Sequence, residues 1–238
     1  MLATIITEEQ WLKLKSILLD LNVYDKPSLK ETFLGIIYRL KTGCQWRYLP
    51  SCYGKANTVF KAFRRWSASG LFYRLFKRLI KDADMEWVSI DATHVRAHQS
   101  SAGSAGDDYQ YIAKSVGGNS SKIHLAVDAH GNPIEFIVSD GVTHDIKIAP
   151  MLLQLLDLQD TEFLNADKGY DSEEFRSLAY SQGVRANIPR KKNAKSNNSH
   201  MDWLIYQARH VVENTFANLK HFRALSSRYD KLLNSYIS

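Results

Sequence analysis

The chain contains 238 residues, of which 45% are hydrophobic and 24% are charged, a balance typical of globular proteins. No apolar run approaches the roughly 18 residues that a membrane-spanning helix requires, and the amino terminus lacks the basic region of a secretory signal. Two cysteines, Cys44 and Cys52, are too few and wrongly spaced for a zinc knuckle or a disulfide framework. These features predict one large domain or two smaller ones, in a cytoplasmic protein with no membrane partner.

The amino-terminal part of the chain has the apolar spacing of several short helices. Thr7, with Gln10 three residues later, predicts a capping-box start for the first helix. Ser28 begins a second helix, which Gly43 ends. Third and fourth helices follow, and the third is basic. Short helices joined by tight loops are typical of a helix-turn-helix-like DNA reader.

Basic residues dominate this helical region. The net charge is +6, and no acidic residue occurs between Glu31 and Asp82. Aromatic residues are interleaved with the basic ones, which are Arg39, Lys41, Arg47, Lys55, Lys61, Arg64, Arg65, Arg74, Lys77, Arg78 and Lys81. Basic groups on a fold with an apolar core are typical of a DNA-binding module, although a solvated helix face is the alternative. We predict a helical DNA-binding domain over residues 1–84, in which Arg64 and Arg65 contact DNA.

Beyond residue 84 the apolar period changes from that of helices to that of strands. The segments 86–96, 122–129 and 134–139 have the pattern of strands, and the last two flank a hairpin turn. Helices and strands then alternate, and one closing helix is expected from about Trp203 to Phe222. This order predicts an α/β fold, a mixed sheet flanked by helices, for a second domain over residues 85–238.

Three carboxylates occupy positions where a charge is costly. Asp91 lies within an apolar strand run, and Asp167 ends another such run. Glu213 has apolar neighbours in the closing helix. Each acid alone could be a satisfied structural carboxylate. The three together, on this order of elements, indicate a site for a divalent metal ion, which prefers oxygen ligands.

Four polar residues of the closing helix fall on one face. Tyr206, Arg209, Glu213 and Lys220 are spaced so that, at about 100° per residue, they lie within a sector of roughly 60°. One interpretation is a surface ladder of ion pairs. The other is a metal ligand flanked by groups that bind phosphate.

These residues resemble the DDE-class transposases of bacterial insertion sequences, specifically the insertion-sequence four/five superfamily. The Tyr-x2-Arg-x3-Glu-x6-Lys signature of that superfamily is matched in full by the four residues of the helix face. Its two aspartate motifs are similar to Ile90-Asp-Ala-Thr-His-Val-Arg-Ala-His and Ala166-Asp-Lys-Gly-Tyr-Asp. Lys122-Ile-His-Leu-Ala-Val-Asp and Gly43-Cys-Gln-Trp-Arg-Tyr-Leu-Pro are also family-like. The likeness covers almost the whole chain.

The resemblance implies an RNase H-like catalytic domain that cleaves DNA and transfers the cut strands. Asp91, Asp167 and Glu213 would hold two Mg²⁺ ions, for which Mn²⁺ would substitute. The gap between Asp167 and Glu213 has no room for the long β insertion of larger relatives. One more apolar helix would be expected beyond Ser238.

The resemblance also implies a set of DNA contacts. Arg209 and Lys220 would grip phosphates, Tyr206 would line the same site, and Tyr170 would stack on a displaced base. The partner would be double-stranded DNA, as terminal inverted repeats and as target. Two ends must be paired, so a homodimer is expected on DNA. Such a protein would be found in the bacterial cytoplasm, associated with the nucleoid.

Three other functions fit parts of the sequence. A nuclease of the same fold would hydrolyse DNA without joining strands, and an inactive relative would bind element ends without cutting them. A zinc enzyme is the third alternative. It would draw its ligands from the histidines, which are His94, His98, His124, His130 and His144.

Overall fold

A computed structural model of the chain describes residues 6–80, 82–101, 110–194 and 196–238. These residues divide into two compact units. The described part of the first unit consists of residues 6–80, 100–101 and 220–238, and the remaining described residues form the second unit. Residues 220–238, which we placed in the second domain, therefore group with the amino-terminal helices.

Four helices open the first unit. They are α1 (Glu8–Asp20), α2 (Leu29–Thr42), α3 (Ala56–Ala68) and α4 (Leu71–Leu79). The predicted capping box is confirmed, because the Thr7 side chain accepts a hydrogen bond from the Gln10 amide while the Gln10 side chain accepts one from the Thr7 amide. The predicted end of α2 is also confirmed: Gly43 adopts φ 67°, a left-handed conformation that glycine tolerates.

Apolar side chains from all four helices form one core in this unit. Its largest fully buried members are Leu18, Leu29, Ile36, Phe63 and Leu71. The predicted helical character of this region is confirmed. That the helices form a helix-turn-helix-like DNA reader stays a prediction.

Six strands of the second unit form a mixed sheet. They are β1 (Trp87–Ala97), β2 (Ala113–Ser115), β3 (Gly118–Val127), β4 (Pro133–Asp140), β5 (Phe163–Asn165) and β6 (Arg185–Asn187). Strand β3 pairs antiparallel with β1, β2 and β4, whereas β5 is parallel to both β1 and β6. The predicted mixed sheet is confirmed.

The predicted hairpin joins β3 to β4 through a turn that Asp128 fixes. The Asp128 carboxylate is fully buried and accepts hydrogen bonds from the backbone amides of Asp84, His130 and Asn132. Gly131 in the turn has φ 83°, which a residue with a side chain rarely adopts. The carboxylate therefore satisfies the backbone of the tight turn without help from solvent.

Four helices belong with this sheet in the chain order. They are α5 (Asp145–Gln154), α6 (Glu173–Ser181), α7 (Trp203–Gln207) and α8 (His210–Lys220). The prediction of one continuous closing helix is wrong, because a turn at Ala208 and Arg209 separates α7 from α8. Hydrogen bonds from residue i+3 to residue i tighten the chain there, including the one from the Arg209 amide to the Tyr206 carbonyl. None of the described helices is long and apolar enough to cross a bilayer.

Three short elements complete the first unit: α9 (Arg223–Ser226), β7 (Ser227–Arg228) and α10 (Leu233–Tyr236). A side chain at Gly43 would place its Cβ 3.0 Å from the Cβ of Arg223, so the end of α2 approaches α9 closely. The Arg39 guanidinium pairs with Asp230 at 3.1 Å, and Arg228 is fully buried with its guanidinium 4.7 Å from the Tyr236 ring centre. The contacts of Gly43 and Arg39 therefore attach the carboxyl-terminal segment to the helical core, and the Arg228 contact lies within that segment.

Candidate active site

Asp91 lies in the middle of β1, opposite Leu125 of β3. Its neighbour Ile90 is buried, whereas the Asp91 side chain is 23% exposed. One carboxylate oxygen accepts a hydrogen bond from the Ala92 amide at 2.8 Å, and the other lies 3.6 Å from Nη1 of Arg209. A carboxylate on a central strand is thus presented at the surface of the sheet.

Asp167 follows β5, the parallel neighbour of β1. Ser89 of β1 pairs with Asn165 of β5, so Asp91 and Asp167 are each two residues beyond a register pair. Neighbouring strands lie about 4.8 Å apart, and residues two apart on a strand point to the same face. The register therefore brings Asp91, in the middle of β1, close to Asp167, which lies just beyond the end of β5, where ligands of open sheets gather.

The backbone after Asp167 turns sharply around that side chain. Oδ1 of Asp167 accepts a hydrogen bond from the Gly169 amide at 2.8 Å. A Cβ on Gly169 would lie 2.8 Å from the same oxygen, so a side chain at this position would displace the carboxylate. The Asp167 carboxylate thus lies close against the backbone of Gly169, and a glycine at this position of the motif leaves room for it.

Glu213 reaches the site from α8, which is anchored by buried Val212 and Phe216. Thr215 of the same helix donates a hydrogen bond to the Gly131 carbonyl at 2.6 Å, and this bond fixes α8 against the hairpin turn. The Glu213 side chain is 53% exposed and pairs with Nη2 of Arg209. Arg209 therefore contacts Glu213 and Asp91 at once.

The three acids share one electrostatic environment. The pKa of Asp91 is raised from 3.8 to about 6, mainly by burial and to a smaller extent by the negative charges of Asp167 and Glu213. The hydrogen bond from Ala92 and the positive charge of Arg209 act in the opposite direction and lower it. Ionising Asp91 is costly in this site mainly because the carboxylate is largely buried, and the neighbouring acids add a smaller cost.

Asp91→Asn is expected to make the chain more stable at pH 8, by on the order of 2 kcal/mol. The folded pKa of about 6 exceeds the ordinary value of 3.8, so ionisation of Asp91 opposes folding as the pH rises through that interval. An asparagine carries no such cost. Urea unfolding of both proteins at pH 8 and pH 4 measures the effect, which should vanish at pH 4. A variant that is less stable than the wild type at pH 8 would show that ionisation of Asp91 does not oppose folding.

The donor set suits a hard divalent cation, but its members are not gathered around one point. Among the residues that the structure describes, no group of three His, Cys, Asp or Glu side chains is close enough to hold an ion as it stands. The zinc alternative gains no support, since His124 is buried against Ser139 at 2.8 Å and His130 lies beside Asp84. The carboxylates of Asp91 and Glu213 fit Mg²⁺ by chemistry, and a guanidinium now lies between them.

The remaining predicted DNA contacts have different surroundings. The Tyr206 ring lies 5.8 Å from the Arg209 guanidinium, and Lys220 is the last residue of α8. Tyr170 is buried, and burial raises the pKa of its phenol. Stacking of Tyr170 on a base, which stays a prediction, would require the ring to become accessible. Arg64 and Arg65 are exposed on α3, in the first unit.

Asp171 is a residue whose role the sequence analysis missed. Its buried carboxylate accepts hydrogen bonds from Arg176 at 2.9 and 3.0 Å and from the Lys191 amide at 2.8 Å, and it also pairs with Arg190. It thereby ties the segment after Asp167 to a distant loop. The sequence feature that could have indicated this role is the position of Asp171 as the last residue of the second aspartate motif.

Comparison with known proteins yields matches to two families. The family described as Transposase DDE domain matches residues 82–236. The family described as Putative transposase of IS4/5 family matches residues 6–76. The two matches together cover most of the chain, and the first includes all three acids of the site.

Individual proteins give a similar result. The chain is 30% identical over 118 residues to a Putative transposase for insertion sequence element IS6501 of Brucella ovis, covering 49% of this chain and 88% of that one. It is 30% identical over 123 residues to a Putative transposase for insertion sequence element IS402 of Burkholderia cepacia, covering 47% and 54%. The chain thus spans about half the length of the Burkholderia cepacia protein. A structure of the piggyBac transposase synaptic complex with hairpin DNA matches 76% of this chain and 48% of that one, with a TM-score of 0.45 and 9% identity.

Proposed function

Because the chain belongs to the Transposase DDE domain family, we propose that it cleaves DNA at the terminal inverted repeats of an insertion sequence and joins the cut ends to a target. The observation that carries this proposal is that Arg209 lies 3.6 Å from Asp91 of β1 and also pairs with Glu213 of α8, while Asp167 follows β5, the parallel neighbour of β1. This arrangement supports one site made from β1, the end of β5 and α8.

The proposed reaction has two steps. Water first attacks the phosphorus at the element end, breaking the bond to the 3′ oxygen and releasing a 3′-hydroxyl. That hydroxyl then attacks a phosphorus of the target strand and displaces its 3′ oxygen, so the second step conserves the number of phosphodiester bonds. The order of the strands, antiparallel from β4 to β1 and parallel from β1 to β6, supports an RNase H-like sheet as the scaffold.

Each residue of the site has a proposed task. Asp91, Asp167 and Glu213 would hold two divalent ions, Mg²⁺ or Mn²⁺, which supply Lewis-acid stabilisation of the attacking and leaving oxygens. Arg209 would bind a DNA phosphate through its planar, bidentate donors. The Tyr206 ring, over which the Arg209 guanidinium lies, would help to hold the guanidinium in place. Lys220, the last residue of α8, would bind another phosphate. Tyr170 would stack on a displaced base.

The first unit offers a basic cavity for DNA. Its volume is about 780 Å³, and its lining includes Arg39, Arg64, Arg223 and Lys231 beside aromatic side chains. Asp230 is the one acid in this lining, and Arg39 neutralises it. The surplus of positive charge comes from Arg64 in residues 1–84 and from Arg223 and Lys231 in the carboxyl-terminal segment of the same unit. It supports our proposal that residues 1–84, together with that segment, bind the inverted repeats. We further propose that the chain acts as a homodimer that pairs two ends.

Arg64→Ala is expected to weaken DNA binding, and the loss of affinity should be similar for end duplexes and for duplexes of unrelated sequence. The slope of log Kd against log salt should fall by about one, because one phosphate contact is lost. Arg65→Ala should behave in the same way. Fluorescence anisotropy at several salt concentrations measures both, with Arg185→Ala in the second unit as the control. Wild-type affinity and slope in both α3 variants would exclude this surface from DNA binding.

The function is tested by strand transfer on labelled duplexes that carry the element ends. We expect joined products with Mg²⁺ and none with EDTA. Cleavage without joining would identify a nuclease instead. End binding with neither reaction would identify an inactive DNA-binding relative.

A further inference from the structure

The Arg209 guanidinium occupies the space between two of the proposed metal ligands. Nη1 lies 3.6 Å from Oδ2 of Asp91, and Nη2 donates to Oε1 of Glu213. The arginine side chain is only 19% exposed. One cation therefore holds together a carboxylate from the sheet and a carboxylate from α8.

A guanidinium in this place does part of what a divalent ion would do. It is always charged, and its planar fork donates to Glu213 while lying within ion-pair distance of Asp91. One guanidinium carries a single positive charge, however, so the two carboxylates that it contacts keep a net negative charge that a divalent ion would neutralise. The same contacts explain why the described acids do not surround one point as metal ligands.

The position of Arg209 in the chain allows its side chain to leave. Arg209 lies in the turn between α7 and α8 rather than within a helix. It rests on the ring of Tyr206, and α7 itself has no buried residue, with Trp203 and Leu204 both exposed. Rotation about the side-chain bonds of Arg209 would free both carboxylates without breaking a helical hydrogen bond.

We propose that Arg209 is a positioning residue: without metal its guanidinium bridges Asp91 and Glu213, and metal binding displaces it from both carboxylates. The displaced guanidinium then becomes available to a DNA phosphate. Metal and DNA would therefore strengthen each other's binding, because each favours the state in which Arg209 has left the carboxylates. This inference rests on the proposed function and adds an order of assembly to it.

Mn²⁺ binding to the full chain, measured by electron paramagnetic resonance without DNA, tests the inference. Arg209→Gln and Arg209→Met remove the charge, and the methionine keeps an apolar stem against Tyr206. We expect each to bind Mn²⁺ about tenfold more tightly than the wild type, within the usual range of coupling between sites. Arg209→Lys keeps the charge but not the planar fork, so its Mn²⁺ affinity should fall between those of the wild type and the uncharged variants. Arg185→Gln, in the exposed pair with Glu162, is the matched control and should change nothing.

A second titration includes a short end duplex, with Asp91→Asn as the blank for ions held by the DNA itself. The duplex should tighten Mn²⁺ binding to the wild type and leave the two uncharged variants unchanged. Equal or weaker Mn²⁺ binding by both uncharged variants would overturn the role of Arg209 while leaving the proposed function intact. If no Mn²⁺ binding depends on Asp91 in any protein, the proposed function and this inference both fail.

Discussion

Asp91→Asn is expected to slow metal-dependent cleavage of end DNA by about a thousandfold or more. An amide matches the carboxylate in shape but carries no charge, so it cannot hold a divalent ion. Metal ions supply several kcal/mol of transition-state stabilisation, and each 1.4 kcal/mol is tenfold in rate. Single-turnover cleavage at saturating protein measures the change in the chemical step.

Two comparisons make this result specific. Asp160→Asn alters an exposed aspartate of the same unit and should leave the rate unchanged. Asp91→Asn itself should retain binding to end DNA, which is saturated at the protein concentration used, and should be more stable at pH 8, so the loss cannot come from unfolding. A rate within tenfold of the wild type would remove Asp91 from the metal site.

Arg39→Ala is expected to lower the free energy of unfolding of the first unit by about 3–5 kcal/mol, the usual cost of removing one partner of a buried ion pair. The side chains of Arg39 and Asp230 are 8% and 14% exposed, and the guanidinium also lies 5.2 Å from the Trp46 ring centre. The alanine variant leaves Asp230 with little solvent and without its ion-pair partner. Urea unfolding followed by tryptophan fluorescence measures the loss.

An exposed pair provides the control for this stability change. Arg185 and Glu162 are 71% and 58% exposed, so Arg185→Ala should cost less than about 1 kcal/mol. The double variant with Arg39→Ala and Asp230→Ala should recover part of the loss, because the remaining charge is gone. Equal costs for Arg39→Ala and Arg185→Ala would show that the buried pair does not attach the carboxyl-terminal segment.

Local signals in the sequence predicted much of the fold. A threonine with glutamine three residues later marks the start of α1, and a glycine marks the end of α2, because backbone groups at helix ends need specific partners. Change of apolar period marked the strands. The break between α7 and α8 was missed because Ala208 and Arg209 are good helix formers and no glycine or proline marks the turn.

Tertiary contacts explain what the sequence could not predict about the site. Spacing of four residues suggested that Arg209 meets Glu213, and the structure contains that pair. The contact of Arg209 with Asp91 depends on how α8 packs beside the hairpin turn, which no local pattern reports. The same is true of Arg39 and Asp230, which are 191 residues apart in the chain. Paired charges of this kind are fixed by the fold as a whole.

Anomalous scattering from Mn²⁺ in crystals of the chain bound to end DNA tests the central claim most directly. We expect two ions, each about 2.1 Å from carboxylate oxygens. Asp91, Asp167 and Glu213 should supply those oxygens, and the Arg209 guanidinium should have moved to a phosphate. Ions bound elsewhere, or an unchanged Arg209 bridge with no ion at the three acids, would contradict it.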